Sequence, residues 1–168
     1  QKYIFYVLAN YKTSGRNNKP GETAVYSNSN NGSYFLKIFN NGKHLRAELH
    51  DAKSRKRHVF LVNQTKKQDG ILFSFTYETS HYMQHIPYYR NVHFVTQEIE
   101  NNNDESKILV KIFKTQNARK PAKEFKLTVA TANKNLFPVF RQIIAHPFEY
   151  WDGFNLGRNV VVKRAEYT

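Results

Sequence analysis

Apolar and polar residues alternate with period two over most of this chain, in short runs separated by turn residues, the pattern of half-buried strands. In Ser33 to Phe39, Tyr34, Leu36 and Ile38 take one face while Phe35, Lys37 and Phe39 take the other. Asn40-Asn41-Gly42 follows, and an Asn-Gly pair supplies the positive φ angles of a hairpin turn. The next run places Leu45, Ala47 and Leu49 inward and His44, Arg46, Glu48 and His50 outward, so the two runs predict a hairpin. Further strands are predicted at Lys2 to Ala9, Glu22 to Ser27, Arg57 to Val62, Ile71 to Tyr77, Asn91 to Ile99, Lys107 to Phe113, Glu124 to Ala130 and Asn159 to Ala165. The runs Val59 to Val62 and Val160 to Val162 are continuously apolar, as in strands covered on both faces.

Only Leu136 to Ala145 has helical spacing, with Leu136, Phe140, Ile143 and Ile144 on one face. Asn135 precedes it as an N-cap, Pro138 is tolerated in the first turn, and Pro147 stops it. The remaining segments read as loops: Asn10 to Gly21, Asp51 to Lys56, Asn63 to Gly70, His81 to Arg90, Asn101 to Ser106 and Gln116 to Lys123. There is no internal repeat and no linker. The pattern predicts one domain over residues 1–168, mainly β: a two-layer β-sandwich, immunoglobulin-like or jelly-roll-like, of about 8–10 strands with one short C-terminal helix.

A chain of 168 residues is long enough to bury one core without staples. With no cysteine it forms neither disulfides nor thiolate metal sites, which excludes zinc-finger modules and gives no clue to redox compartment. No run approaches the ~20 apolar residues of a membrane span. The apolar run Tyr3 to Ala9 lacks the flanks of a signal peptide, which favours a nuclear or cytoplasmic location over secretion.

Charge changes the picture most. The formal net charge of +13 comes from 26 Lys and Arg against 13 Asp and Glu, and residues 1–70 hold 13 of the basic and 4 of the acidic groups. Such an excess attracts polyanions: nucleic acid, or a sulfated glycan if the protein is secreted. The sharpest cluster is Lys53-Ser54-Arg55-Lys56-Arg57-His58 at a strand junction, where mutual repulsion is relieved when phosphates lie against it. Lys66 and Lys67 on the following turn and Lys12, Arg16 and Lys19 on the first long loop could extend it into a shared basic face. Arg119, Lys120, Lys163 and Arg164 are further phosphate-contact candidates.

Aromatic interleaving in Tyr77, Tyr82, Tyr88, Tyr89, His93 and Phe94 suggests a stacking surface for unpaired bases, with Tyr88 and Tyr89 beside Arg90 as its leading part. The stretch from His146 to Phe154 reads as a lid packing Phe148, Trp151 and Phe154 over the core. Its alternative is a patch of Phe148, Tyr150 and Trp151 for a protein partner or self-association. His81 and His85 have i, i+4 spacing but no acidic ligand between them, so no metal is expected. No nucleophile, carboxylate-pair or phosphate-loop motif occurs, and no cofactor is implied. A metal-free nuclease site, such as His44 or His50 with Lys43, needs no motif and remains the enzymatic alternative. Asn31-Gly32-Ser33 and Asn63-Gln64-Thr65 match the N-glycosylation pattern in predicted turns.

The expectation is a non-enzymatic domain that binds DNA or RNA by phosphate contacts. The alternative is a structural or interaction protein, viral coat-like or a secreted glycan-binding domain, using the patch around Trp151.

Overall fold

The computed structural model describes residues 2–14, 20–40, 42–83, 92–102, 104–144 and 154–167. The chain is mainly β, with two antiparallel sheets and one short helix, the composition that a two-layer β-sandwich expects. Two compact units, Gln1–Gln84 and His85–Thr168, carry one sheet each.

The first unit is a six-stranded meander: β1 (Val7–Ser14), β2 (Pro20–Asn28), β3 (Asn31–Asn40), β4 (Leu45–Asp51), β5 (Lys56–Lys67) and β6 (Gly70–Tyr82), each hydrogen-bonded to its neighbour in sequence. Ala9, Val25, Lys37, Glu48, Val59 and Thr79 lie in one row across it. Because strand side chains alternate, this register assigns every residue to a face. One face gathers Ile38, Ala47 and Val62 with Ala24, Tyr26, Leu36, Leu45, Phe60 and Phe73 into a single apolar cluster. The other carries Val25, Lys37, Glu48 and Val59 along its central row. Buried residues occur on both, as the continuous apolar run Val59 to Val62 predicts.

The expected hairpin is β3 with β4, joined after Asn40 and before Leu45 by residues 41–44. Gly42 has φ +90°, and its amide donates to the Asn40 side chain at 2.8 Å, which fixes the turn. Several boundaries differ from the sequence reading, β6 running on to Tyr82 among them, and two segments differ most. The first strand starts at Val7 and runs into the expected loop, while residues 2–6 are held otherwise: Ile4 bonds the Tyr34 hydroxyl through its amide and carbonyl, and Asn28 donates to the Ile4 carbonyl. Alternation is present there, with Tyr3 and Phe5 inward, but side chains replace most of the ladder. The expected turn Asn63 to Gly70 is instead the far half of a long ribbon, β5 with β6, closed by Gln68 and Asp69. Lys67 pairs with Gly70, whose φ of +141° only glycine adopts freely.

The second unit orders its strands β10 (Val160–Tyr167), β9 (Lys123–Thr131), β8 (Glu105–Phe113) and β7 (His93–Asn101). One face buries Ser106, Ile108, Val110 and Ile112 beside Phe125, Leu127 and Val129, with Val160 and Val162 of the edge strand. The helix α1 (Phe137–Ile144) buries Phe137, Val139 and Phe140. Asn135 caps it, accepting from the Phe137 amide at 3.1 Å. Phe154 packs edge-on against Phe137 and stacks on Phe94, both at 4.7 Å, so this member of the expected lid closes core. None of the described helices is long and apolar enough to cross a membrane.

Candidate nucleic-acid interface

The ribbon of β5 and β6 brings basic and aromatic positions of the first unit together. Lys56, His58, Phe60, Val62, Gln64 and Lys66 share one face of β5, opposite Tyr82, Ser80, Tyr77, Phe75, Phe73 and Ile71 of β6. Glu78 bulges between Tyr77 and Thr79; were it paired as regular strand, odd-numbered Phe75 and Tyr77 would lie on the face opposite even-numbered Ser80 and Tyr82. The side chains meet accordingly. Phe60 packs edge-on against Phe75 at 6.3 Å and Tyr77 at 5.6 Å, His58 lies tilted against Tyr77, and Lys56 Nζ sits 5.2 Å from the Tyr82 ring centre.

Phe60 and Phe73 belong to the core, but Phe75, Tyr77 and Tyr82 are 45%, 55% and 73% exposed. Rings on a strand are more often core; these three are left in solvent on one face.

The basic turn at the end of this strip is built by Asp51. Its carboxylate accepts from the Lys53 and Ser54 amides at 3.0 and 3.2 Å and from the Tyr3 hydroxyl at 3.0 Å. Burial alone would raise the pKa of Asp51; the bonds from Ser54, Tyr3 and Lys53 outweigh it and hold the carboxyl below its ordinary range. Arg55 takes the left-handed conformation, φ 54°, and its carbonyl accepts from the Met83 amide at 2.9 Å, tying the turn to the end of β6. Among the described residues, Lys53, Arg55, Lys56, Lys66 and Lys67 form no ion pair, so their charge is not neutralised locally.

A concave pocket of about 360 Å³ opens on the same face, lined by Tyr3, Leu49, Ser54, Lys56, His58, Phe60 and Tyr77. No carboxylate lines it. Three rings and a leucine supply apolar wall; Lys56, His58 and Ser54 supply polar groups.

The opposite face of the sheet holds a different set. Glu48 lies at 3.2 Å from His50 Nε2 and 3.6 Å from Arg57, Arg46 pairs with Glu78 at 3.4 Å, and Phe35 stacks on His50 at 4.6 Å. Burial pushes Lys37 down to about 8, against the attraction of Glu48, and also lowers His50. His50 Nδ1 and the Nε atoms of Arg46 and Arg57 are buried with no hydrogen-bond partner among the described residues. Structural burial, and not a ligand, accounts for these shifts.

The sequence candidates therefore separate. Lys53 and Arg55 sit on the turn, and Lys56 and Lys66 share the aromatic face, ten residues and about 33 Å apart along β5. Arg57 and Lys67 alternate onto the opposite face, where Arg57 is paired with Glu48. Lys66 and Lys67 stand in the strand and not on a turn. In the second unit, Arg119 and Lys120 are exposed between β8 and β9, Lys163 is the bulge residue of β10, and Arg164 pairs with Glu166 at 2.5 Å. Of the histidines considered as a pair, His81 is on β6 and His85 lies outside the described residues. Arg16, Tyr88, Tyr89, Phe148, Tyr150 and Trp151 also lie outside them. Asn63, of the second glycosylation triplet, is in a strand.

Three members of this face were not singled out from sequence: Tyr3, Phe60 and Phe75. The alternation of Ile71, Phe73, Phe75 and Tyr77 was the available signal, but only the register shows that it faces Lys56, His58 and Lys66. No family model, curated protein or solved structure matches the chain.

Proposed function

We propose that this protein binds single-stranded nucleic acid, DNA or RNA, as a non-enzymatic binding domain that lays the strand along the β5 and β6 face. The observation that carries this reading is the register of exposed Phe75, Tyr77 and Tyr82 with unpaired Lys56 and Lys66. Every base has a π-face, so exposed rings accept bases without regard to sequence, at about 1–3 kcal/mol per stacked base. Lysines that carry no carboxylate partner supply the phosphate contacts, and the turn with Lys53 and Arg55 extends them beyond the end of β5. Stacking requires unpaired bases, which selects single strands over duplex.

The strip of about 33 Å suits an oligonucleotide of about 4–6 residues, at the small end of known single-strand sites. The test is equilibrium binding to single-stranded and duplex oligonucleotides of matched length and composition, titrated with salt. Tighter binding to the single strand, with log affinity falling at about 0.7 per phosphate contacted against log salt, supports the reading. Equal or tighter binding to duplex, or tighter binding to heparin than to any nucleic acid, overturns it.

A further inference from the structure

The pocket beside the strip has a chemistry of its own. We infer that it seats one nucleotide unit, the base against Tyr3, Phe60 and Tyr77 and the phosphate against Lys56 and His58. This rests on the β5 and β6 face being a single-strand interface, and adds to it one position unlike its neighbours.

The volume of about 360 Å³ is at the low end for small-molecule sites, about 300–1,000 Å³, which suits one nucleotide and not a longer piece. A flat apolar body with a single anionic group matches three aromatic walls with Lys56 and His58 among them. The Asp51 carboxylate keeps its charge but does not line the pocket; its oxygens are turned to Tyr3, Lys53 and Ser54. The Ser54 hydroxyl also bonds Asp51, which leaves its oxygen as an acceptor for a base amino group. Tyr3 is held in place before any ligand arrives, its hydroxyl on Asp51 and its ring edge-on against Tyr34 at 5.0 Å. Tyr77 and Lys56 belong to the strip and the pocket alike, so a strand on the strip passes the pocket mouth.

The experiment uses the full chain and follows its amide and aromatic NMR signals on adding uridine or adenosine monophosphate, the corresponding nucleosides, inorganic phosphate, and a short oligonucleotide. The expected result is that the monophosphates shift signals of Tyr3, His58 and Tyr77 and bind more tightly than nucleoside or phosphate alone. Tyr3→Ala should weaken them about tenfold and Tyr3→Phe should not. Lys56→Gln, at a half-buried strand position outside the apolar cluster, should fold and bring monophosphate binding down to that of the nucleoside. The pocket inference is overturned when the oligonucleotide binds through Phe75 and Tyr82 while the monophosphates leave the pocket signals unmoved, or when inorganic phosphate binds as well as they do. Pocket binding of monophosphates without oligonucleotide binding sinks the interface reading and keeps a site for free nucleotides. Binding of neither overturns both.

Discussion

The Tyr3 hydroxyl donates to Asp51 Oδ2 at 3.0 Å, joining residues 48 positions apart and fixing the N-terminal segment to the end of β4. Burial, then the bond and the charge of Asp51, push the phenol up to about 12, so it remains a donor at any working pH. The same carboxylate organises the Lys53 to Arg55 turn, so one buried aspartate supports a pocket wall and the basic end of the strip. Asp51→Ala leaves four donors without an acceptor, the Tyr3 and Ser54 hydroxyls and the Lys53 and Ser54 amides, and should cost about 2–4 kcal/mol, whereas Tyr3→Phe, which removes one bond, should cost about 1–2 kcal/mol. Denaturant midpoints of the two variants check the order; equal costs would show that the turn does not depend on Asp51.

Asp51 also sets an acid limit. Its folded pKa lies below the unfolded value, so the unfolded chain takes up the proton first and the contribution of Asp51 is present above about pH 4 and lost as pH falls through the folded pKa. His50, lowered by burial, acts in the same sense from about pH 6.5 downward. The stability gap between wild type and Asp51→Asn should therefore be constant from pH 5 to 7 and narrow below about pH 4. A gap independent of pH down to 2 would mean that Asp51 is not held ionised.

Lys37 produces the opposite edge of the profile. Its folded pKa of about 8 lies under the unfolded value of about 10.4, so between these the unfolded chain binds more protons and stability rises with pH. Lys37→Met should remove that rise, worth about 1–3 kcal/mol, and raise stability at pH 7 by about 1 kcal/mol. Matched urea titrations at pH 7 and 10 measure it; an alkaline rise that survives in Lys37→Met would place its source elsewhere.

Phosphate contact is assigned to particular lysines by face. Lys56→Gln with Lys66→Gln should reduce the salt slope by about 1.4 for single strands and weaken binding at low salt, while Lys67→Gln, one residue along but on the other face, should change neither. Similar effects from all three would mean that the charge acts as a diffuse field.

How far the fold was legible follows from where its surfaces are wet. The β3 and β4 hairpin, β8 and β9 of the second unit and the Asn135 cap were readable because each has a buried face that enforces alternation or a cap with one chemical solution. The far half of the β5 and β6 ribbon, Asn63 to Gly70, was not, because both of its faces are exposed and backbone pairing holds it without an apolar pattern. The same ribbon carries the candidate site. Its basic residues were visible as a cluster, but Lys56 and Arg57 are adjacent in sequence and opposite in space, and only the register tells them apart. Tyr77 and Tyr82 were read as a stacking surface from spacing alone; Phe75 and Tyr3 required the partner strand and the Asp51 bond to be seen.

The central claim is that exposed rings on β6 stack with unpaired bases, and the most direct measurement is the affinity of Phe75→Ser with Tyr82→Ser for a short single-stranded oligonucleotide across a salt series. Neither side chain is in the apolar cluster of the first sheet, so the variant should fold. The account predicts a loss of about 10- to 100-fold at every salt concentration with the salt slope unchanged, because stacking is removed and phosphate contacts are kept. Unchanged affinity in the folded variant would contradict it.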